Sequence, residues 1–286
     1  MTSEWTMAES RRARASWGMT SGATEHDPLL GAWATLGEPR LTTELGRSGV
    51  GWVGLDAQHG HFDDRSLRNS LGGRPPGGAP MLVRVAANDA ALIGRALDAG
   101  ADGIIVPLVG TVADARQAVA ASRYPPHGER SWGPLHGSRP VHRPGSDGGT
   151  HAVPLCSVMI ETTAALDAVE AIAAAPGVDM IFVGPFDLSL ALGTDVDGLL
   201  AAGERTAPLP RIVQACSAAG IPAGAYAGTP ERAALLAAAG FQWIAATTDT
   251  ALLELGAQTL QQRMFADQDV KRTRTLPAQG TPAHTP

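Results

Sequence analysis

The stretch Leu155–Ser189, LCSVMIETTAALDAVEAIAAAPGVDMIFVGPFDLS, decides how the chain is read. It opens on a strand-like run, Leu155–Ile160, and passes through a helix-like segment, Ala164–Ala174. It then turns at Gly177 and closes on a second apolar run, Met180–Val183. Unbroken apolar runs mark strands covered on both faces, the signature of a parallel sheet with helices packed over it. The same stretch carries two carboxylates, Glu161 directly after the first strand and Asp187 shortly after the second. In a parallel α/β fold, residues at such C-terminal strand ends line the mouth where chemistry is done. Two carboxylates gathered there repel each other unless a cation lies between them, and hard divalent ions prefer oxygen ligands.

Working outward, the pattern repeats. Strands are predicted at Gly31–Leu36, Val50–Leu55, Met81–Ala86, Gly103–Pro107, Leu155–Ile160, Met180–Val183, Ile221–Ala225 and Trp243–Ala246. Helices are predicted at Asn88–Ala99, Val112–Ser122, Ala164–Ala174, Ala207–Ala219 and Pro230–Ala239. Gly100, Gly177, Gly220 and Gly240 follow four of them, as expected where a chain leaves a helix through a left-handed turn. Eight such units imply a (β/α)8 TIM barrel of the α/β class, and 286 residues suit a fold that typically takes about 250. A doubly wound sheet could give the same alternation, but no Gly-x-Gly-x-x-Gly follows the first strand. The expected organisation is a disordered segment over 1–28, one barrel domain over 29–266, and a disordered tail over 267–286.

Composition excludes several partners. The formal net charge is −6 and the positive residues are scattered arginines, so no basic stripe suits nucleic acid. No apolar run approaches the roughly 18–20 residues of a membrane span. Arg11, Arg12 and Arg14 have no apolar stretch behind them, which argues against a secretory signal. Cys156 and Cys216 read as buried free thiols, so a cytoplasmic location is expected. The single lysine, Lys271, lies in the polar tail. No strand offers an amine for a Schiff base, so carbon–carbon chemistry here would have to be metal-assisted.

Other candidates fall at the predicted strand ends: Trp33, the run Asp56-Ala-Gln-His59-Gly-His61, Arg84, Met159, the loop Gly184-Pro185-Phe186-Asp187, and Tyr226. Each has a plain alternative. Asp187 could cap a helix. Glu161 could compensate a helix dipole. His59 and His61 could simply face solvent. Arg84 within an apolar strand needs an anionic partner if it faces the barrel. The histidines of the Pro/Gly-rich stretch Tyr124–Val153 (His127, His136, His142 and His151) lack regular ligand spacing. That stretch is read as a surface loop or lid rather than a zinc site.

Five ordered motifs carry a resemblance. They are Met81-Leu-Val-Arg-Val-x-x-Asn-Asp89, Leu97-Asp-Ala-Gly-Ala-Asp-Gly-Ile-Ile-Val-Pro107 and Arg123-Tyr-Pro-Pro-x-Gly-x-Arg130, then Met159-Ile-Glu-Thr162 and Val183-Gly-Pro-Phe-Asp-Leu-Ser189. Together, over about Gly31 to Leu255, the chain resembles the metal-dependent class II pyruvate aldolases. These comprise 4-hydroxy-2-oxoheptanedioate and 2-keto-3-deoxy-sugar-acid aldolases, relatives of the citrate lyase β-subunit.

The resemblance implies a barrel assembled as a hexamer, a trimer of dimers. It implies that Glu161 and Asp187 bind a divalent ion (Mg, Mn or Co) that chelates pyruvate. Arg84 would then contact the keto oxygen, and His59 with Asp56 would handle protons. Asp98 would lie near the subunit contact that closes the site, and backbone amides at Phe186 and Asp187 would hold the pyruvate carboxylate. Trp33, Met159, Gly184, Pro185 and Tyr226 would complete the substrate pocket. The implied partners are small molecules, a 2-oxo acid and an aldehyde. Two positions depart from the family pattern: Gln58 stands where Glu is common, and Met159 where Gln is common. An acyl-CoA lyase of the same superfamily is one alternative, disfavoured by a folded region without lysine. A non-catalytic metal-binding paralogue is another, disfavoured by the joint presence of His59, Arg84, Glu161 and Asp187.

Overall fold

A computed structural model of the protein describes residues 28–74, 77–133 and 153–273. Among the described residues, eight parallel strands close into a barrel in sequence order. They are β1 Leu29–Ala34, β2 Trp52–Asp56, β3 Met81–Arg84, β4 Gly103–Val106, β5 Leu155–Ile160, β6 Met180–Val183, β7 Ala223–Tyr226 and β8 Trp243–Thr248. The helices are α1 Pro39–Leu45, α2 Asp64–Gly72, α3 Ala90–Asp98, α4 Val112–Ser122, α5 Thr163–Asp167 and α6 Val169–Ala173. They continue as α7 Pro185–Ala191, α8 Val196–Ala201, α9 Pro208–Ala219, α10 Pro230–Ala238 and α11 Asp249–Thr273. The (β/α)8 expectation holds, and all eight strands fall where the sequence places them, to within a few residues at their ends.

Local chemistry explains why the helices start where they do. Asp63 and Ser66 form a reciprocal capping box at the head of α2, and Thr111 and Asp114 form another at α4. Pro39, Pro185, Pro208 and Pro230 each stand in the first turn of a helix, where a missing N–H costs nothing. The predicted helix over Ala164–Ala174 is two helices, broken at Ala168 with φ −99° and ψ 8°. No Gly or Pro announces that break. The helices α1, α2 and α8 were not among those predicted, and α7 was foreseen only as a helix that Asp187 could cap.

The terminal helix α11 runs to Thr273, past the residue 266 at which the sequence reading ends the folded part. Asp267–Thr273 contain no Gly or Pro to stop it. Among the described residues, those from Thr250 to Thr273 belong to a separate compact unit. Residues 1–27 and 274–286, called disordered from the sequence, lie outside the described residues, as do His136, His142 and His151.

Register inside the barrel positions the site. Asp56 of β2 is aligned with Arg84 of β3, so their side chains project from neighbouring strands on the same face. Trp33 of β1 is aligned with Gly54 of β2, and a Cβ on Gly54 would collide with the Trp33 ring. Glycine there lets the indole lie across the barrel. The interior is filled by Trp33, Trp52, Leu82, Ile105, Met159 and Phe182 with their neighbours. Trp33 stacks on Phe182 with ring centroids 5.6 Å apart. Aromatic burial of this kind is the largest apolar contribution a single side chain makes.

Candidate active site

Glu161 is the first residue beyond β5 and is only 4% exposed. Its Oε1 accepts the backbone N–H of Leu108 at 2.6 Å. Leu108, just beyond β4, adopts φ 56°, a left-handed conformation that costs a non-glycine residue about 1–2 kcal/mol. This strained residue is the one whose amide meets the carboxylate, and strain of that kind persists only where the surroundings hold it. Gly184, just beyond β6, fits against the other oxygen. A Cβ on Gly184 would meet Glu161 Oε2 at 2.9 Å and Met159 Cε at 3.0 Å.

The Glu161 carboxyl is pushed above its ordinary range, chiefly by burial, against the pull of the Leu108 N–H. The negative charge of Asp187 pushes it further, while Arg84 and His59 draw it back. Those interactions gather Glu161, Asp187, Arg84 and His59 into one electrostatic neighbourhood.

Asp187 is exposed and sits in the first turn of α7. The residue capping that helix is Gly184, which has no side chain to offer, so the capping alternative for Asp187 is incorrect. A carboxylate free of capping duty remains available to a cation. Nor is Asp187 at a strand end in the strict sense. The turn through Gly184 and Pro185 carries it there.

Arg84 and Asp56 form a forked pair: Nε donates to Oδ1 at 2.9 Å and Nη2 to Oδ2 at 2.5 Å. This is the anionic partner the sequence required of Arg84. The Trp33 indole N–H also reaches Asp56 Oδ2 at 3.3 Å, and the Arg84 guanidinium lies 5.3 Å from the Trp33 ring centre. Burial works to raise the Asp56 carboxyl, but hydrogen bonds and charge from Arg84 prevail and hold it below the ordinary carboxylate range.

His59 is exposed in the turn after β2 and its backbone N–H donates to Asp56 Oδ1 at 3.1 Å. Asp56 therefore fixes the turn through the His59 backbone rather than through the imidazole. Gln58 donates its own backbone N–H to the same oxygen at 3.0 Å.

The remaining candidates divide. Tyr226 closes β7 and touches Trp33 and Phe186, with ring centroids at 5.7 and 5.9 Å. Burial raises its phenol. Met159 is buried within the same cluster, beneath Gly184. Pro185 is buried and Phe186 is 39% exposed at the rim. Asp98 stands apart: it closes α3, which leads the chain away from this rim to the start of β4, and it pairs with Arg130 at 2.7 Å. Within one chain it does not join the carboxylate pair.

Two contributors escaped the sequence reading. Leu108 acts through its backbone, which no residue-type signal reveals. Arg232, whose guanidinium covers the Phe186 ring at 5.2 Å, reads in the sequence as an ordinary first-turn residue of α10.

The donor set suits a hard divalent ion. Glu161 and Asp187 are near enough for their charges to interact, and among the described residues no cluster of three or more His, Cys, Asp or Glu forms. Magnesium-type ions are commonly held by one or two carboxylates, with substrate and water oxygens filling the other positions.

Comparisons with known proteins place the chain among relatives. A family model described as HpcH/HpaI aldolase/citrate lyase matches residues 29–254. The chain is 36% identical over 232 residues to a Pseudomonas putida 2-dehydro-3,6-dideoxy-6-sulfogluconate aldolase, covering 81% of this chain and 90% of that one. It is 34% identical over 257 residues to a Paraburkholderia phytofirmans hydroxypyruvate/pyruvate aldolase, covering 85% and 96%. A crystal structure of a family protein from Burkholderia cenocepacia superposes with a TM-score of 0.68 at 30% identity, covering 91% of this chain and 100% of that one. The chain belongs to the HpcH/HpaI aldolase/citrate lyase family.

Proposed function

We propose that this carbon–carbon lyase joins or separates a pyruvate-type enolate and an aldehyde, with Glu161 and Asp187 holding a divalent cation. The observation that carries the reading is the buried Glu161 carboxylate set against Gly184, near enough to Asp187, Arg84 and His59 for their charges to act on it. When bound, such a cation supplies Lewis acidity that stabilises negative charge on the 2-oxo acid. Magnesium, manganese and cobalt all suit two carboxylate oxygens.

The side chains do the rest. Asp56 occupies Nε and Nη2 of Arg84, which fixes the fork and leaves Nη1 for the keto oxygen. As a 4-hydroxy-2-oxo acid is cleaved, His59 takes the C4 hydroxyl proton and the C4 oxygen becomes the aldehyde carbonyl. The C3–C4 bond breaks, its electrons form the C2–C3 double bond, and charge gathers on the C2 oxygen near Arg84. A charge-assisted hydrogen bond that strengthens as this charge forms lowers the barrel's transition state more than its ground state. Protonation at C3 then gives the methyl group of pyruvate. Histidine is suited to the proton step near neutral pH.

Relatives named as aldolases do not favour the acyl-CoA lyase or non-catalytic readings. We further propose a hexamer, supported by exposed Leu253, Leu260, Met264 and Phe265 on α11. A cytoplasmic location is supported by two buried free cysteines, Cys156 and Cys216, and among the described residues no helix is long and apolar enough to cross a membrane.

The test is aldol cleavage assayed with EDTA, with restored divalent ion, and with borohydride plus pyruvate. EDTA should abolish activity, the ion should restore it, and borohydride should leave it untouched. Covalent trapping of pyruvate on the protein would overturn the reading.

A further inference from the structure

We propose that Asp249 is a positioning residue for His59, acting through the loop after β1 to hold the turn that carries the imidazole. This rests on the aldolase reading, in which His59 takes the C4 hydroxyl proton, and adds the group that fixes its place. Asp249 directly follows β8 and is 2% exposed. Burying a carboxylate is costly unless it is well hydrogen-bonded. Its donors come from the loop after β1, at Thr35, a sequence separation of 214 residues. Oδ2 accepts the backbone N–H groups of Thr35 and Leu36, each at 2.9 Å, and Oδ1 accepts the Thr35 hydroxyl at 2.9 Å. Hydrogen bonds to an ionised acceptor are roughly twice as strong as neutral ones, so the loop is gripped firmly.

The gripped loop bears directly on the His59 turn. The Thr35 carbonyl oxygen accepts the His61 N–H at 2.8 Å. Gly37 has φ 67°, and a Cβ on it would run into the His61 carbonyl. A Cβ on Gly60 would run into the Asp56 carbonyl and meet the Thr35 carbonyl oxygen at 2.9 Å. Loop and turn therefore lie backbone against backbone at these points, with no side chain between them to absorb a shift. From the other side, Asp56 Oδ1 accepts the N–H groups of Gln58 and His59. Two carboxylates thus hold the turn, Asp56 directly and Asp249 through Thr35. His59 is exposed, so its backbone sets where the imidazole reaches. A misplacement of about 1 Å in a reacting group can cost about a hundredfold in rate.

The experiment measures kcat and KM for two reactions with Mg²⁺ present. Cleavage of 4-hydroxy-2-oxoglutarate needs a hydroxyl proton removed; decarboxylation of oxaloacetate does not. Wild-type protein is compared with Asp249→Ala, Asp249→Asn, His59→Ala and the Asp249→Ala/His59→Ala double variant. Asp249→Ala should lower kcat for cleavage by roughly tenfold to a hundredfold, with its KM and the decarboxylation rate little changed. Asp249→Asn should stay close to wild type, because its amide oxygen accepts both backbone N–H groups and its NH₂ donates to the Thr35 hydroxyl. In the His59→Ala background, Asp249→Ala should cost no further cleavage, since two changes acting through one group do not add. Should Asp249→Ala not fold, Asp249→Glu replaces it: the extra methylene displaces Thr35, and the same selective, non-additive loss is expected. With His59→Ala itself selective for cleavage, three results each overturn this inference alone. They are equal loss of both reactions in Asp249→Ala or its replacement, losses that multiply in the double variant, and Asp249→Asn as damaging as Asp249→Ala. Equal loss of both reactions in His59→Ala would instead overturn the proton role of His59, and this inference with it.

Discussion

Arg84 carries two duties that mutation can separate. Its fork anchors Asp56, a nearly fully buried carboxylate, through Nε and Nη2, and the proposed mechanism uses Nη1. Arg84→Ala should lower kcat by about 10²–10³-fold, the usual cost of removing one donor to a forming oxyanion. It should also destabilise the fold by about 3–5 kcal/mol, because Asp56 is left buried and unpaired. Arg84→Lys should restore part of the rate, since the charge returns without the planar fork. Rates from stopped assays, with thermal melts on the same samples, check both effects. His59 has a different signature. His59→Ala should hurt aldol cleavage while sparing part of oxaloacetate decarboxylation, which makes the same enolate without removing a hydroxyl proton. Equal losses would mean that His59 positions substrate instead of accepting its proton. At this scale Arg84 was legible because a lone guanidinium in an apolar strand demands an anion, and register supplied Asp56. The backbone of Leu108 was not legible, since its role depends on a turned amide rather than a side chain.

Among elements, strands were easier to read than helices. Buried parallel strands are written as compact apolar runs, and Met180–Val183 keeps the same bounds in sequence and structure. Helices shorter than two turns, such as α1 and α8, carry too few apolar positions to show a period. The turn between β6 and α7 is where this mattered. A sequence reading sees Asp187 before Leu-Ser-Leu and offers a cap, yet the cap position belongs to Gly184. Gly184 has φ −93°, a conformation alanine tolerates, so its small size rather than its flexibility is what the site uses. Gly184→Ala should therefore fold with a melting temperature close to wild type. Its methyl group would press on Glu161 Oε2, and divalent-ion affinity should fall by roughly tenfold or more. Calorimetric titration with Mn²⁺ checks this, and an unaltered affinity would show that Oε2 does not face the ion.

At the scale of the whole molecule, closing eight strands brings together residues far apart in sequence: β2 supplies Asp56 and the His59 turn, β3 Arg84, β5 Glu161, and the β6–α7 turn Asp187. Their joint presence was readable because each follows or ends a strand, and a barrel gathers such ends onto one rim. Asp98 was not placed by that logic, because it ends a helix and its neighbour within the chain is Arg130. The central claim is that Glu161 and Asp187 hold a cation with which this rim makes an enolate of pyruvate. Exchange of pyruvate methyl protons in D₂O, followed by proton NMR, tests it most directly. With Mg²⁺ the wild-type protein should exchange the methyl protons, and EDTA, Glu161→Gln or Asp187→Asn should each reduce exchange to the protein-free rate. Exchange that persists in EDTA, or in both variants, would contradict the account.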